Sequence, residues 1–311
     1  MSQPIVQSFT GDRTNASTTS STVINNITYP TGIVAGDLLF LVVSADAAPT
    51  LNGVPGTWTA LGPWTNGTTT RLYAQYVVAS GGETGTFTGL SWSVAAFGNY
   101  GFYRISNFNP LWPPEYELVP TTGTSTTPNP PSVTATWPLS AILGIAFYSQ
   151  DDSRSTAVSG PSGWVVDYQG VSGPGSAGAT GNAFGIAHLG ENATGTTSPG
   201  VFTTSRSDTW VCMTFIIRGL ELYTITETLL MSDASPVPNG VKVIALEADA
   251  VINANPGDTL IVRAADLVAG GAGLISLTVY SATDKLLIID PESVSMAGET
   301  LATLPITPTP V

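Results

Sequence analysis

The chain has 311 residues, 42% of them hydrophobic and only 10% charged, with 22 Asp plus Glu against nine Lys plus Arg for a formal charge of −13. No basic run occurs along it, so a partner bound by neutralising a phosphate backbone is excluded and nucleic acid is not expected; no apolar run approaches the roughly 18 residues of a membrane span, so no membrane partner is expected either. So few charges leave the surface to Thr, Ser, Asn and Gly, a composition suited to packing against other copies or on an assembly, with a secreted β protein carrying a Ser/Thr-rich face as the alternative.

The N-terminal residues Met1 to Val6 have no positive region leading into an apolar stretch, so no signal peptide is expected. Beyond them apolar positions alternate, or run for four to eight residues between Gly, Pro, Asn and Asp clusters, and helical periodicity is nearly absent. The pattern predicts an all-β protein. In the first half strands are expected near 22–29, 37–45, 57–61, 70–79, 84–88 and 97–106. The stretch Phe108 to Tyr116 contains Pro110, Pro113 and Pro114, which lack the amide donors of a central strand, so it is expected to be a crossover. Its Trp112 and Tyr116 are candidates either to cap the end of the sandwich or to anchor a partner. The second half predicts strands near 131–137, 141–149, 163–169, 182–189, 199–204 and 210–218, with a side-chain-poor loop from Gly170 to Thr180 expected to be mobile.

After Gly219 the composition shifts, with both lysines (Lys242, Lys285) and a denser set of carboxylates. Strand-like runs at 241–247, 259–264, 274–280 and 285–289 predict a separate small β domain over 221–303. Residues 304–311, with Pro305, Pro308 and Pro310, read as an extended polyproline-like arm, and both chain ends are expected to reach neighbouring subunits.

Few residues could do chemistry. His188 is the only histidine; two positions after Ile186 in a strand-like run, it is expected to share that residue's face and to be structural. No Gly-x-Ser-x-Gly elbow occurs, and one Cys with one His cannot make a closed zinc site, so no catalytic residue, metal or other cofactor is expected. The carboxylate neighbours Asp151-Asp152 and Glu115/Glu117 lie on expected loops, where nothing aims them across a sugar. Cys212, the only cysteine, falls in an apolar run and reads as a small buried hydrophobe.

The chain also repeats itself once. Gly36 to Val43, then Pro55-Gly56-Thr57-Trp58, then Tyr100 to Ser106 are answered by Ala141 to Tyr148, Pro161-Ser162-Gly163-Trp164 and Trp210 to Gly219. Trp58 and Trp164 lie about 106 residues apart, too long for a propeller blade or solenoid repeat. The halves, about 20–107 and 120–219, are expected to form one jelly-roll-like sandwich over 1–220 with a pseudo-twofold, Trp58 and Trp164 taking equivalent core positions. The run Gly36-Asp37-Leu38-Leu39-Phe40-Leu41-Val42-Val43, with Thr57-Trp58, Arg71 to Val78 and Phe102 to Ile105, resembles a domain of structural proteins of tailed bacteriophages and of some bacterial surface proteins. The resemblance covers about residues 20–219 and carries no functional residue. It implies a non-enzymatic virion protein assembled in the host cytoplasm, most directly a capsid decoration protein, with major capsid protein or other virion proteins as partners and a homo-oligomer, a trimer first, as its state. A fibre, collar or tail component and a carbohydrate-binding adhesin, with Trp112, Tyr116 or Trp64 as stacking platforms for a surface glycan, are the alternatives.

Overall fold

A computed structural model describes residues 3–14, 20–110, 113–135, 141–151, 157–173, 181–191 and 196–219, and beyond these the strands at 223–228, 243–247, 262–263, 274–279, 285–289, 304–306 and 309–310. The chain divides into two compact units, Ser2–Leu220 and Glu221–Val311. Every regular element among the described residues is a β-strand, and all strand pairings are antiparallel.

The first half of the larger unit contributes β1 (Ile5–Arg13), β2 (Ser21–Val23), β3 (Leu38–Asp46), β4 (Leu51–Asn52), β5 (Thr59–Asn66), β6 (Thr70–Val78), β7 (Ser91–Ala96) and β8 (Gly98–Ser106). They form a large sheet in the order β1-β8-β3-β6-β5 and a small one in the order β2-β7-β4. The second half contributes β9 (Glu115–Tyr116), β10 (Thr121–Ser125), β11 (Val133–Thr134), β12 (Ile142–Gln150), β13 (Ala157–Ser159), β14 (Val165–Ser172), β15 (Asn182–Glu191), β16 (Thr196–Thr197), β17 (Thr203–Thr204) and β18 (Asp208–Arg218). Its large sheet runs β10-β18-β12-β15-β14 with β9 also on β18, and its small sheets are β11-β16 and β13-β17. Counted from β1 and from β10, first, last, third and sixth strands adjoin in the large sheet of both halves, while second and fourth pair with the seventh, which is broken into β16 and β17 in the second half. This is jelly-roll winding, except that the fifth strand stays beside the sixth. The repeat therefore closes once in each half, not once across both.

The two large sheets lie face to face. Leu38, Phe40 and Val42 of β3 and Tyr103 and Ile105 of β8 share one buried cluster with Leu143, Ile145 and Phe147 of β12 and Met213, Phe215 and Ile217 of β18. The alternate residues Leu39, Leu41 and Val43 point the other way, into a core with Trp92 of β7 and Phe87; Ala146 and Tyr148 likewise meet Phe202 and Trp164. Every residue of β3 and of β12 is buried. Burial on both faces explains why these strands read as unbroken apolar runs where half-buried strands alternate, and each large apolar side chain so covered stabilises by roughly 1.5–3 kcal/mol.

Trp58 and Trp164 open equivalent strands from equivalent turns, each donating its backbone N–H to the proline carbonyl three residues back (Pro55, 2.9 Å; Pro161, 3.2 Å). Trp164 is 9% exposed, while Trp58 is half-buried against the matching core of the first half. The strand expected at 84–88 carries a single bridge, Thr28 with Thr86; the ladder there is β7, a few residues on. Residues 5–13, expected as part of a free arm, are instead paired with β8 from Ile5 to Arg13, with one register shift between Val6 and Ser8. They were hard to read because an edge strand on the rim half-buries its side chains and shows no apolar face. Residues 170–172 belong to β14, and 174–180 lie outside the described residues.

The described residues of the smaller unit form two antiparallel sheets. In one, β19 (Tyr223–Thr228) lies between β22 (Leu274–Val279) and β25 (Thr309–Pro310); the other runs β21 (Val262–Arg263), β20 (Val243–Glu247), β23 (Lys285–Ile289), β24 (Leu304–Ile306). Pro305 and Pro310 thus sit on edge strands of this unit's own sheets rather than in a free arm, paired with Leu286 and Tyr223. An edge is where a residue without an amide proton is tolerated.

Candidate functional site

The face-to-face sheets leave two open seams. At one, β1 of the first half lies against β14 of the second, and Arg13 Nε donates to the Val171 carbonyl at 3.1 Å. At the other, β5 lies against β9 and β10, and Asn66 Nδ2 donates to the carbonyls of Gly123 (3.2 Å) and Trp210 (3.0 Å). Strand register makes the seams equivalent: Phe9 opposes Tyr103 as Tyr116 opposes Phe215, and Phe40 pairs with Tyr103 as Ile145 pairs with Phe215.

The β5/β9 seam opens into a groove of about 420 Å³ lined by Gly62, Pro63, Trp64, Thr65, Tyr116, Leu118 and Pro120. Among the described residues no charged side chain lines it. Trp64, 4% exposed, is packed edge-on against Tyr116 (5.5 Å between centroids) and Phe215 (5.6 Å), and Tyr116 lies 4.8 Å from Phe215. A register shift between Leu61 and Trp64 lifts Gly62-Pro63 off β6 to make one wall. The opposite wall is the β9–β10 connection, where Leu118 and Val119 are 80% and 75% exposed, the most exposed large hydrophobic residues described.

At the other seam the same place holds polar groups. Asp167 falls at a register shift in β14; the Tyr103 hydroxyl donates to its Oδ2 at 2.5 Å, and His188 Nδ1 lies 2.8 Å from the same oxygen. Burial first, then the Asp167 charge, pushes the Tyr103 phenol well above its ordinary value. A carboxylate holding Nδ1 orients an imidazole as in hydrolytic dyads, but among the described residues no hydroxyl or thiol is bonded to the other ring nitrogen of His188. The histidine ties β14, β15 and, through Asp167, β8 together.

At the end of β3 the seam is closed by a buried polar belt with the same pseudo-symmetry. Ser44 Oγ donates to Asn182 Oδ1 and Thr70 Oγ1 meets Ser149 Oγ, both at 2.6 Å; Asn99 Nδ2 adds bonds to Asn182 Oδ1 (2.9 Å) and Ser172 Oγ (3.2 Å). Next to it Asp46, 7% exposed, accepts the Phe97 N–H at 2.7 Å. Burial pushes its carboxyl up to about 6 against the opposing effect of the Phe97 and Gly181 amides.

Of the residues singled out from sequence, Tyr116 is in the groove, half-buried. Trp112 and Pro308 lie outside the described residues, and Pro305 and Pro310 are in the other unit. Trp64 is a wall of the groove packed into the core, not an exposed platform. Asp152 is also outside the described residues; Glu117 is exposed at the rim of the groove. Cys212 is fully buried, and burial raises its thiol well above the usual value. Among the described residues no cluster of three His, Cys, Asp or Glu could hold a metal ion. Sequence reasoning missed Asp167, whose signal is a carboxylate interrupting the apolar alternation of Val165-Val166-Asp167-Tyr168. No protein-family model, curated protein or solved structure matches the chain.

Proposed function

We propose that the chain is a non-enzymatic structural protein of a tailed-phage virion, a decoration protein that docks on the head lattice through surfaces of its sandwich. One observation carries the reading: two complete jelly-roll windings are joined through a single aliphatic and aromatic core spanning both large sheets. Such a body is rigid, and its loops and edges are free to contact neighbours. The low charge of the whole chain and the rows of exposed hydroxyls on the outer sheets, such as Thr134 with Thr196 (2.9 Å) and Ser159 with Thr203 (2.7 Å), support lateral packing without desolvating ions. The burial of Trp64 weakens the adhesin alternative by removing one stacking platform.

The experiment is cosedimentation of the purified chain with phage heads stripped of accessory proteins, run beside a glycan array. Saturable binding at a fixed ratio to the major capsid protein is expected. Glycan binding without head binding would overturn the assignment in favour of an adhesin.

A further inference from the structure

The internal repeat supplies its own control, because whatever the fold requires at one seam is present at the other. In the first half two residues, Thr10 and Gly11, join Phe9 to Asp12, and the strand stays on β8 throughout. In the second half four residues, Glu117 to Pro120, join Tyr116 to Thr121, which hold the equivalent positions opposite Phe215 and Cys212. The two added residues break the covering strand, and the chain places Leu118 and Val119 in the excursion. Turn residues there are ordinarily polar, and exposing a Leu-Val pair gains the monomer nothing. Val34, Val94 and Val201 stand singly on the surface and need no explanation, and Val165 and Val166, the other adjacent exposed pair, are less exposed (55% and 40%) and lie in a paired strand, β14, rather than in a turn.

The excursion borders the uncharged groove described above, so one patch carries an apolar knob and an apolar hollow side by side. The patch is also continuous with the interface between the halves: Trp64 lines the groove and belongs to the shared core, on which Tyr116 packs. A surface that already joins one copy of the repeat to the other is extended outward there.

We propose that this seam is a homotypic contact at which two copies of the chain meet about a twofold axis, the Leu118–Val119 knob of each seated against the groove of the other. Knob and hollow on a single patch are what an isologous contact requires, since the same residues must serve as both sides. The uncharged lining lets two chains of like net charge meet without burying an unpaired ion, with Glu117 left at the hydrated rim. The dimer rests on the assembly reading only for its use: a dimer with no affinity for heads would end the virion assignment and leave the contact standing.

The test is sedimentation equilibrium of the full chain over a thousandfold concentration range, with thermal melting of every variant. The expected mass rises to twice the 32.1 kDa of one chain. Leu118→Asp on one wall and Thr65→Arg on the other should each weaken association at least tenfold with unchanged melting, and Val94→Asp, on β7, should do nothing. A chain that stays monomeric overturns the proposal and assigns the patch to a different protein. So does a trimer, or a dimer whose midpoint is the same in all variants or moves for one wall only.

Discussion

Along the β1/β14 seam an unbroken strand covers the rim, and beneath it Tyr103, Asp167 and His188 are joined by short hydrogen bonds. Along the β5/β9 seam the covering strand is interrupted, Phe215 and Tyr116 stand where Tyr103 and Phe9 stand in the other seam, and a groove opens. One winding, repeated, thus tolerates opposite chemistry at equivalent places, because the backbone ladders and the cores on either side of each large sheet hold the fold. What the seams carry is free to differ. One seam adds the Tyr103–Asp167–His188 cluster to its crossing hydrogen bond, and the other combines the Asn66 hydrogen bonds with ring packing and leaves apolar surface to spare.

The contrast is tested most severely in the ring-packed seam. Phe215 is fully buried and meets the rings of Phe40, Trp64, Tyr116 and Phe147, so Phe215→Ala should cost about 3–5 kcal/mol in denaturant unfolding; a loss under 1 kcal/mol would mean the halves do not depend on that packing. Acid titration of stability probes the polar belt. A carboxyl raised from 3.8 to about 6 in the fold binds its proton more tightly folded than unfolded, so its contribution is full below pH 4 and is lost as pH rises through 6, by up to about 3 kcal/mol. Asp46→Asn should remove that slope from a pH series of chemical denaturation, and an unchanged slope would assign it to other groups. In the polar seam, Tyr103→Phe leaves Asp167 with one fewer donor and should cost about 1–2 kcal/mol; a neutral result would make the cluster incidental. Smallest of all, Leu118→Asp should move monomer stability by no more than about 0.5 kcal/mol, and a larger loss would show the excursion packing on its own chain.

The all-β class was legible because its signal is local: Leu38 to Val43 and Ile142 to Tyr148 are apolar without interruption, and strands buried on both faces have no polar side to show. The turn before each Trp was legible for a similar reason, since Pro with Gly limits the backbone whatever surrounds it. The rim strand β1 was not, because its half-buried pattern Ile5–Arg13 resembles a loop until β8 is beside it. The roles of Tyr116 and Trp64 were not legible either: an aromatic residue in a crossover or at the end of a strand can face water or a core, and the choice depends on Phe215, about 100 residues from the one and 150 from the other.

The sequence by itself determined the strand content, the single internal repeat and the scarcity of catalytic groups, all of which are counts and short-range patterns. Only the tertiary structure decided that each half winds on its own, that the large sheets face one another, and that Asp167 meets Tyr103 and His188 while Leu118 and Val119 are left exposed. Those outcomes depend on which surfaces remain apolar after each sheet has formed, and that is settled by contacts between residues far apart in the chain.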